Sequence, residues 1–247
     1  KVDDILLVSE SDLERAVLGV TGMNYSTLLH RSVDFDPQFL DIVAANYPRP
    51  IHPLLFGLAQ MLWDRTDANG HANHLTSDPY PGTPPKKVLL HVAFGDFQVA
   101  NITAEIQART IGAHVHRPAF DPAAYLSDNP EGEPRPFFDE NPYWDLPAIP
   151  QSPPVPPVPG FPDATYRWDG SALVVWDSGN LQSPPANVPP RADDNPELQA
   201  CPSRRGGDPH ECPRREPSAR VQKSEFLRSE GSVVDVCGGL SCLAPGS

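Results

Sequence analysis

The stretch Lys87-Val88-Leu89-Leu90-His91-Val92-Ala93 runs almost without polar interruption, breaks at Phe94-Gly95-Asp96, and leads into a helical segment from Ala100 to Ile111. A run this short and this apolar is a strand buried on both faces, as a parallel sheet covered by helices requires. Arg15–Val20 and Ser171–Asp177 have the same character. Between the first two lie a short helix within Pro37–Asn46 and a longer one over Pro53–Arg65, where Leu54, Leu55, Leu58 and Leu62 predict a buried face. Val2–Arg15 reads as an amphipathic helix, and Glu216–Ser229 as a closing helix that packs through Ala219, Val221, Phe226 and Leu227. This alternation predicts an α/β fold with three parallel strands flanked by helices.

Proline limits what the rest can be. The chain holds 32 prolines in 247 residues, against an ordinary share of about 5%. Most of the excess falls in Pro118–Pro162 and Pro184–Pro217. Proline fixes its own φ and has no amide donor, so neither stretch can form a long helix or a central strand. Phe120, Tyr125, Phe137, Phe138, Tyr143, Trp144 and Phe161 are interleaved with the first stretch, which favours ordered wrapping over a free linker. The expected organisation is one domain over 1–247, with a Pro-rich insertion at about 114–167 and a stapled loop and helix at about 178–247. No repeat of solenoid period is present.

The formal net charge of -13 argues against nucleic acid as a partner, because phosphate binding needs clustered Lys and Arg. No apolar run has the length of a membrane span, and the opening residues do not read as a signal peptide. The four cysteines, Cys201, Cys212, Cys237 and Cys242, all lie in the last fifth of the chain. Their spacings lack the paired C-x-x-C knuckles of common zinc sites and favour two disulfides. Nearest-neighbour pairing, Cys201–Cys212 and Cys237–Cys242, is the simplest of the three connectivities. Disulfides imply the periplasm or the cell exterior.

Asp96 stands at the carboxyl end of a central strand, the edge where open α/β sheets bind and react with ligands. The alternative is a turn aspartate that caps the helix that follows. In Thr66–Pro85, the set Asp67, Asn69, Gly70, His71 and His74 lacks the acids of a calcium loop, and its two histidines have no third ligand. No metal and no cofactor is expected. Asn24-Tyr25-Ser26 and Asn101-Ile102-Thr103 match the glycosylation sequon by pattern alone.

The order of these parts resembles the second half of an α/β-hydrolase, in which the acid follows a late strand and the histidine follows the last one. Lys87–Ala93 with Gly95-Asp96-Phe97-Gln98-Val99 resembles the acid-bearing strand and its turn, and Ala172–Asp177 resembles the last strand. His210, within Gly206-Gly207-Asp208-Pro209-His210-Glu211, is the one histidine after it. Gly22-Met23-Asn24-Tyr25-Ser26-Thr27-Leu28-Leu29 and Gln60-Met61-Leu62-Trp63-Asp64-Arg65 also resemble certain secreted bacterial hydrolases. The resemblance implies that Asp96 orients an imidazole and that His210 shuttles a proton during cleavage of an ester or related acyl bond. His91 falls inside a strand and reads as a sheet histidine. His114 and His116 precede the last strand, the wrong place for the family's histidine.

No G-x-S-x-G occurs in the chain. Ser26 follows a strand but has none of the glycines that permit the strained nucleophile elbow. A first strand as apolar as Arg15–Val20 would leave a hydrophobic edge unpaired. The expectation is therefore a second polypeptide that completes the sheet and supplies the nucleophile and oxyanion hole. The competing expectation is a non-catalytic binding or structural module on a degenerate hydrolase scaffold.

Overall fold

The computed structural model describes residues 9, 12–35, 39–126, 143, 145–151, 158–179 and 208–245. Most of the predicted Val2–Arg15 helix lies outside these residues, as do Phe137, Phe138, Trp144 and Cys201. Arg15 itself opens a strand.

The principal sheet is parallel throughout and has the order β1-β2-β5-β3, with β7 also on β5. Its strands are β1 (Arg15–Gly19), β2 (Lys87–Ala93), β3 (His114–Val115), β5 (Ala172–Asp177) and β7 (Cys242–Leu243). The sheet thus has five strands where sequence periodicity predicts three. The two additional strands have two residues each, too short for an alternating pattern to register. They share one side of β5: His114 and Val115 align with Ala172 and Leu173, while Cys242 and Leu243 align with Trp176 and Asp177. β3 also falls within the stretch assigned to the Pro-rich insertion, so the sheet recruits the start of that segment. A separate antiparallel pair joins β4 (Arg167–Trp168) to β6 (Val233–Val234).

Side chains alternate across the sheet as the pleat dictates. Val88, Leu90 and Val92 enter one core with Leu173, Val175, Ala104 and Ala108. Leu89 enters the other, with Val174, Trp176, Ala219 and Phe226. The helices α4 (Asn101–Thr110) and α6 (Pro217–Phe226) thus cover opposite faces. His91 is a sheet histidine. It is buried, its Nε2 lies 2.7 Å from Gln222 Oε1, and burial together with the charge of Lys223 lowers its pKa to about 3. The imidazole is therefore neutral, and its Nε2–H donates to Gln222.

Two helices bury faces that leucine spacing does not predict. The connection after β1 contains α1 (Tyr25–Leu28), α2 (His52–Trp63) and α3 (Asn73–Thr76). In α2, Leu54, Leu58, Met61 and Leu62 are exposed, whereas Phe56 and Gln60 are buried. Gln60 turns inward because it has fixed partners there: its Oε1 accepts from Ser26 N at 2.9 Å, and its Nε2 donates to Asp64 Oδ1 at 2.7 Å and Asp67 Oδ2 at 2.8 Å. In α6, Val221 and Leu227 are exposed, while Gln222 is buried and donates to Val234 O at 2.6 Å. A saturated amide can occupy a core position that an unpartnered one could not. The short helix expected over Pro37–Asn46 is one turn of π-helix at Phe39–Ala44.

β1 ends the sheet. Its Leu18 is buried, Arg15, Ala16 and Val17 are half-buried, and Gly19 is exposed. Among the described residues no strand pairs with its outer edge. Of the cysteines, Cys237 and Cys242 form a disulfide and Cys212 is also disulfide-bonded. The partner predicted for Cys212 lies outside the described residues.

Candidate active site

Asp96 occupies the turn that leaves β2 at its carboxyl end. Gly95 adopts φ +75° there, a left-handed conformation that costs glycine little. Asn101, notable in sequence only as part of a sequon, locks the turn: its Oδ1 accepts from Gly95 N at 2.8 Å and its Nδ2 donates to Ala93 O at 2.6 Å. Both oxygens of Asp96 face the histidine, and one of them also holds the turn. Oδ1 accepts from Gln98 N and Val99 N, each at 2.8 Å, and lies 3.1 Å from His210 Nδ1, which is 2.8 Å from Oδ2. The aspartate therefore stabilises its own turn and also faces the histidine. It does not cap α4, whose N-cap is Ala100.

His210 reaches this turn from 114 positions along the chain. It lies just before the short helix α5 (Cys212–Arg215), which Pro213 and the disulfide-bonded Cys212 open. Asp208 joins the two loops. Its Oδ1 accepts from Phe97 N at 3.3 Å and His210 N at 3.1 Å, and its Oδ2 accepts from Gln98 Nε2 at 2.7 Å.

The Asp96 carboxyl is buried, and burial raises its pKa; three donors, including the imidazole, stabilise its anion against that cost. Burial of His210 pushes its pKa down. The hydrogen bond and charge of Asp96, helped by the charge of Asp208, outweigh burial and the opposing charge of Arg214, so the net shift is upward. With Nδ1–H donating to Asp96, the neutral ring keeps its basic lone pair on Nε2. The ring lines a cleft of about 260 Å³ with Gly19, Val20, Thr21, Gln98 and Arg214. Arg214 is paired with Glu211. Val20, at the exit of β1, has φ +49°. That conformation is uncommon for a β-branched residue and is concentrated at functional sites.

Ser26 is absent from this cleft. It lies in α1, where its amide donates to Gln60. His114 packs against Trp168 with the rings tilted and their centroids 4.3 Å apart, and His116 lies between Tyr166 Oη and Leu240 O. In the Thr66–Pro85 loop the Asp67 carboxylate is used by Tyr25 N and Gln60, and His74 faces Asp78 and stacks on Tyr80. Among the described residues the one grouping with ligand-like spacing is His116, Cys237 and Cys242. Its two sulfurs form the disulfide, so it offers no thiolate to a metal.

Sequence reasoning missed Asp208, Asn101 and Gln98 as parts of the site. The available signal was an Asx-type turn at Asp208-Pro209-His210, but its long-range partners have no local signature. Compared with family models, with curated proteins and with solved structures, the chain matches none.

Proposed function

We propose that Asp96 and His210 are the acid and the base of a serine hydrolase site that cleaves esters or a related acyl bond. The observation that carries this reading is the 2.8 Å contact between Asp96 Oδ2 and His210 Nδ1 at the carboxyl edge of a parallel sheet. The hydrolase-type arrangement is supported by the order acid after an inner strand, β5, histidine, helix α6; it departs from the expected order in that the short strands β6 and β7 follow that helix, so β5 is not the last strand. Nε2 of His210 takes the proton from a serine hydroxyl as its oxygen bonds to the acyl carbon, and returns it to the departing alkoxide. Water repeats the cycle and releases the acid, while Asp96 stabilises each imidazolium.

The serine and the oxyanion hole come, on this reading, from a second polypeptide whose strands add to β1. Among the described residues no strand pairs with the outer edge of β1, and the sequence holds no G-x-S-x-G; both support that assignment. The Cys237–Cys242 disulfide supports a location outside the cytoplasm. The second reading, a non-catalytic module, is favoured by the same missing motif.

A fluorophosphonate probe applied to native material, followed by intact-mass analysis, separates the two. The hydrolase reading expects a labelled companion chain, with labelling lost on His210→Ala. A lone, monodisperse 26.9 kDa species that takes no label refutes it and leaves the binding module. Labelling of this chain itself, lost on Ser26→Ala, would refute the assignment of the nucleophile to a partner.

A further inference from the structure

We propose that Asp208 is a positioning residue of this site, a clamp that holds the histidine's loop against the acid's turn. Nothing in the covalent chain brings residues 96–98 and 208–210 together. Asp208 spans that gap with one carboxylate that takes donors from both sides: Phe97 N and the Gln98 side chain from the acid's turn, His210 N from its own. Charge-assisted bonds of this kind are roughly twice as strong as neutral ones.

The clamp also carries charge. The ionisable groups around the imidazole are Asp96 from the turn after β2, Asp208 from its own loop and Arg214 from α5, the last paired with Glu211; Asp34 and Asp67 line the same cleft. Asp208 therefore adds a second negative charge that favours the imidazolium and offsets Arg214. Both oxygens share the charge and both serve the clamp, Oδ1 through the two backbone amides and Oδ2 through the Gln98 side chain. Asn at 208 keeps Oδ1 for Phe97 N and His210 N, and the amide of Gln98 can turn to present Oε1 to the new NH2. Asp208→Asn thus removes the charge and keeps the clamp, whereas Asp208→Ala removes both.

The inference rests on the proposed hydrolase reading only for its activity readout. The primary test is NMR of the full chain labelled at histidine, which needs no substrate. Asp208→Asn is expected to retain the low-field Nδ1 proton of His210 while the ring titrates at lower pH. Asp208→Ala is expected to lose the low-field proton. In the native assembly, Asp208→Ala should lower kcat at least tenfold with KM changed less than threefold, and Asp208→Asn should recover most of kcat and shift the pH profile to lower pH. A low-field proton retained in Asp208→Ala, or a His210 titration unchanged in Asp208→Asn, overturns the proposal. Should Asp208→Ala fail to fold, Gln98→Ala replaces it. Losing the Oδ2 contact should broaden the low-field proton, and an unaltered signal counts against the clamp. Failure of the hydrolase reading would appear as absent fluorophosphonate labelling with these NMR effects intact.

Discussion

Replacing Asp96 by Asn and by Ala separates its hold on the turn from its charge towards the histidine. Oδ1 holds the backbone amides of Gln98 and Val99 and lies 3.1 Å from His210 Nδ1, which is 2.8 Å from Oδ2. Asp96→Asn preserves the hold on the turn, since its carbonyl oxygen takes the place of Oδ1. Its NH2 then stands where Oδ2 stood, the nearer of the two contacts to His210 Nδ1 (2.8 Å against 3.1 Å), and favours Nδ1 as an acceptor. The imidazole proton then moves to Nε2, and the ring loses the basic nitrogen that the proposed hydrolysis needs. Losing one charge-assisted hydrogen bond and forming a neutral one costs about 1–2 kcal/mol of stability at pH 7. Asp96→Ala also leaves the half-buried amides of Gln98 and Val99 without this acceptor, each worth about 1–3 kcal/mol, so its total is on the order of 3–8 kcal/mol. Urea unfolding of both variants measures the difference, and 15N shifts of His210 report the tautomer. On the proposed hydrolase reading, Asp96→Asn should reduce kcat of the native assembly by about 10⁴, the scale set by an acid-to-amide change in a serine protease triad. Equal destabilisation by Asn and Ala, or an Nε2–H tautomer in the unmodified chain, would refute this division of labour.

The remaining predictions concern packing and charge. Asp235 accepts from Thr165 N, Thr165 Oγ1, Cys237 N and Gly239 N at 2.7–2.9 Å. Burial opposes its ionisation, but these donors outweigh burial and hold its pKa below the usual carboxylate range. Its stabilising contribution is present above the unfolded-state pKa of about 3.9 and is lost as pH falls through the lower folded value. Asp235→Ala should therefore cost on the order of 3 kcal/mol at pH 7 and progressively less in acid, as read by urea titration at several pH values. Leu58 and Leu62 are 57% and 73% exposed. Leu58→Gln and Leu62→Gln should each change urea stability by less than about 0.5 kcal/mol; a loss above about 2 kcal/mol would show that this face of α2 is covered within the chain.

Local sequence determined the parts whose physics is local. β2 and β5 are legible because strands buried on both faces must be apolar at nearly every position, and the Gly95-Asp96 turn is legible because glycine permits the φ that the chain needs there. The order of Asp96 and His210 along the chain was legible too, through a family resemblance. Their contact, implied there only by that resemblance, has no signature in the residues themselves, because it depends on where 113 intervening positions send the chain. Tertiary structure decided that Gln60 and Gln222, rather than Leu58 and Val221, turn inward, since each buried amide has a partner from a distant segment, Ser26 N for Gln60 and His91 for Gln222. It alone also made two-residue segments into strands β3 and β7, by offering them the free side of β5. Asp208 belongs to the same class: a carboxylate's identity is written in the sequence, but its donors come from a loop that folding brings alongside.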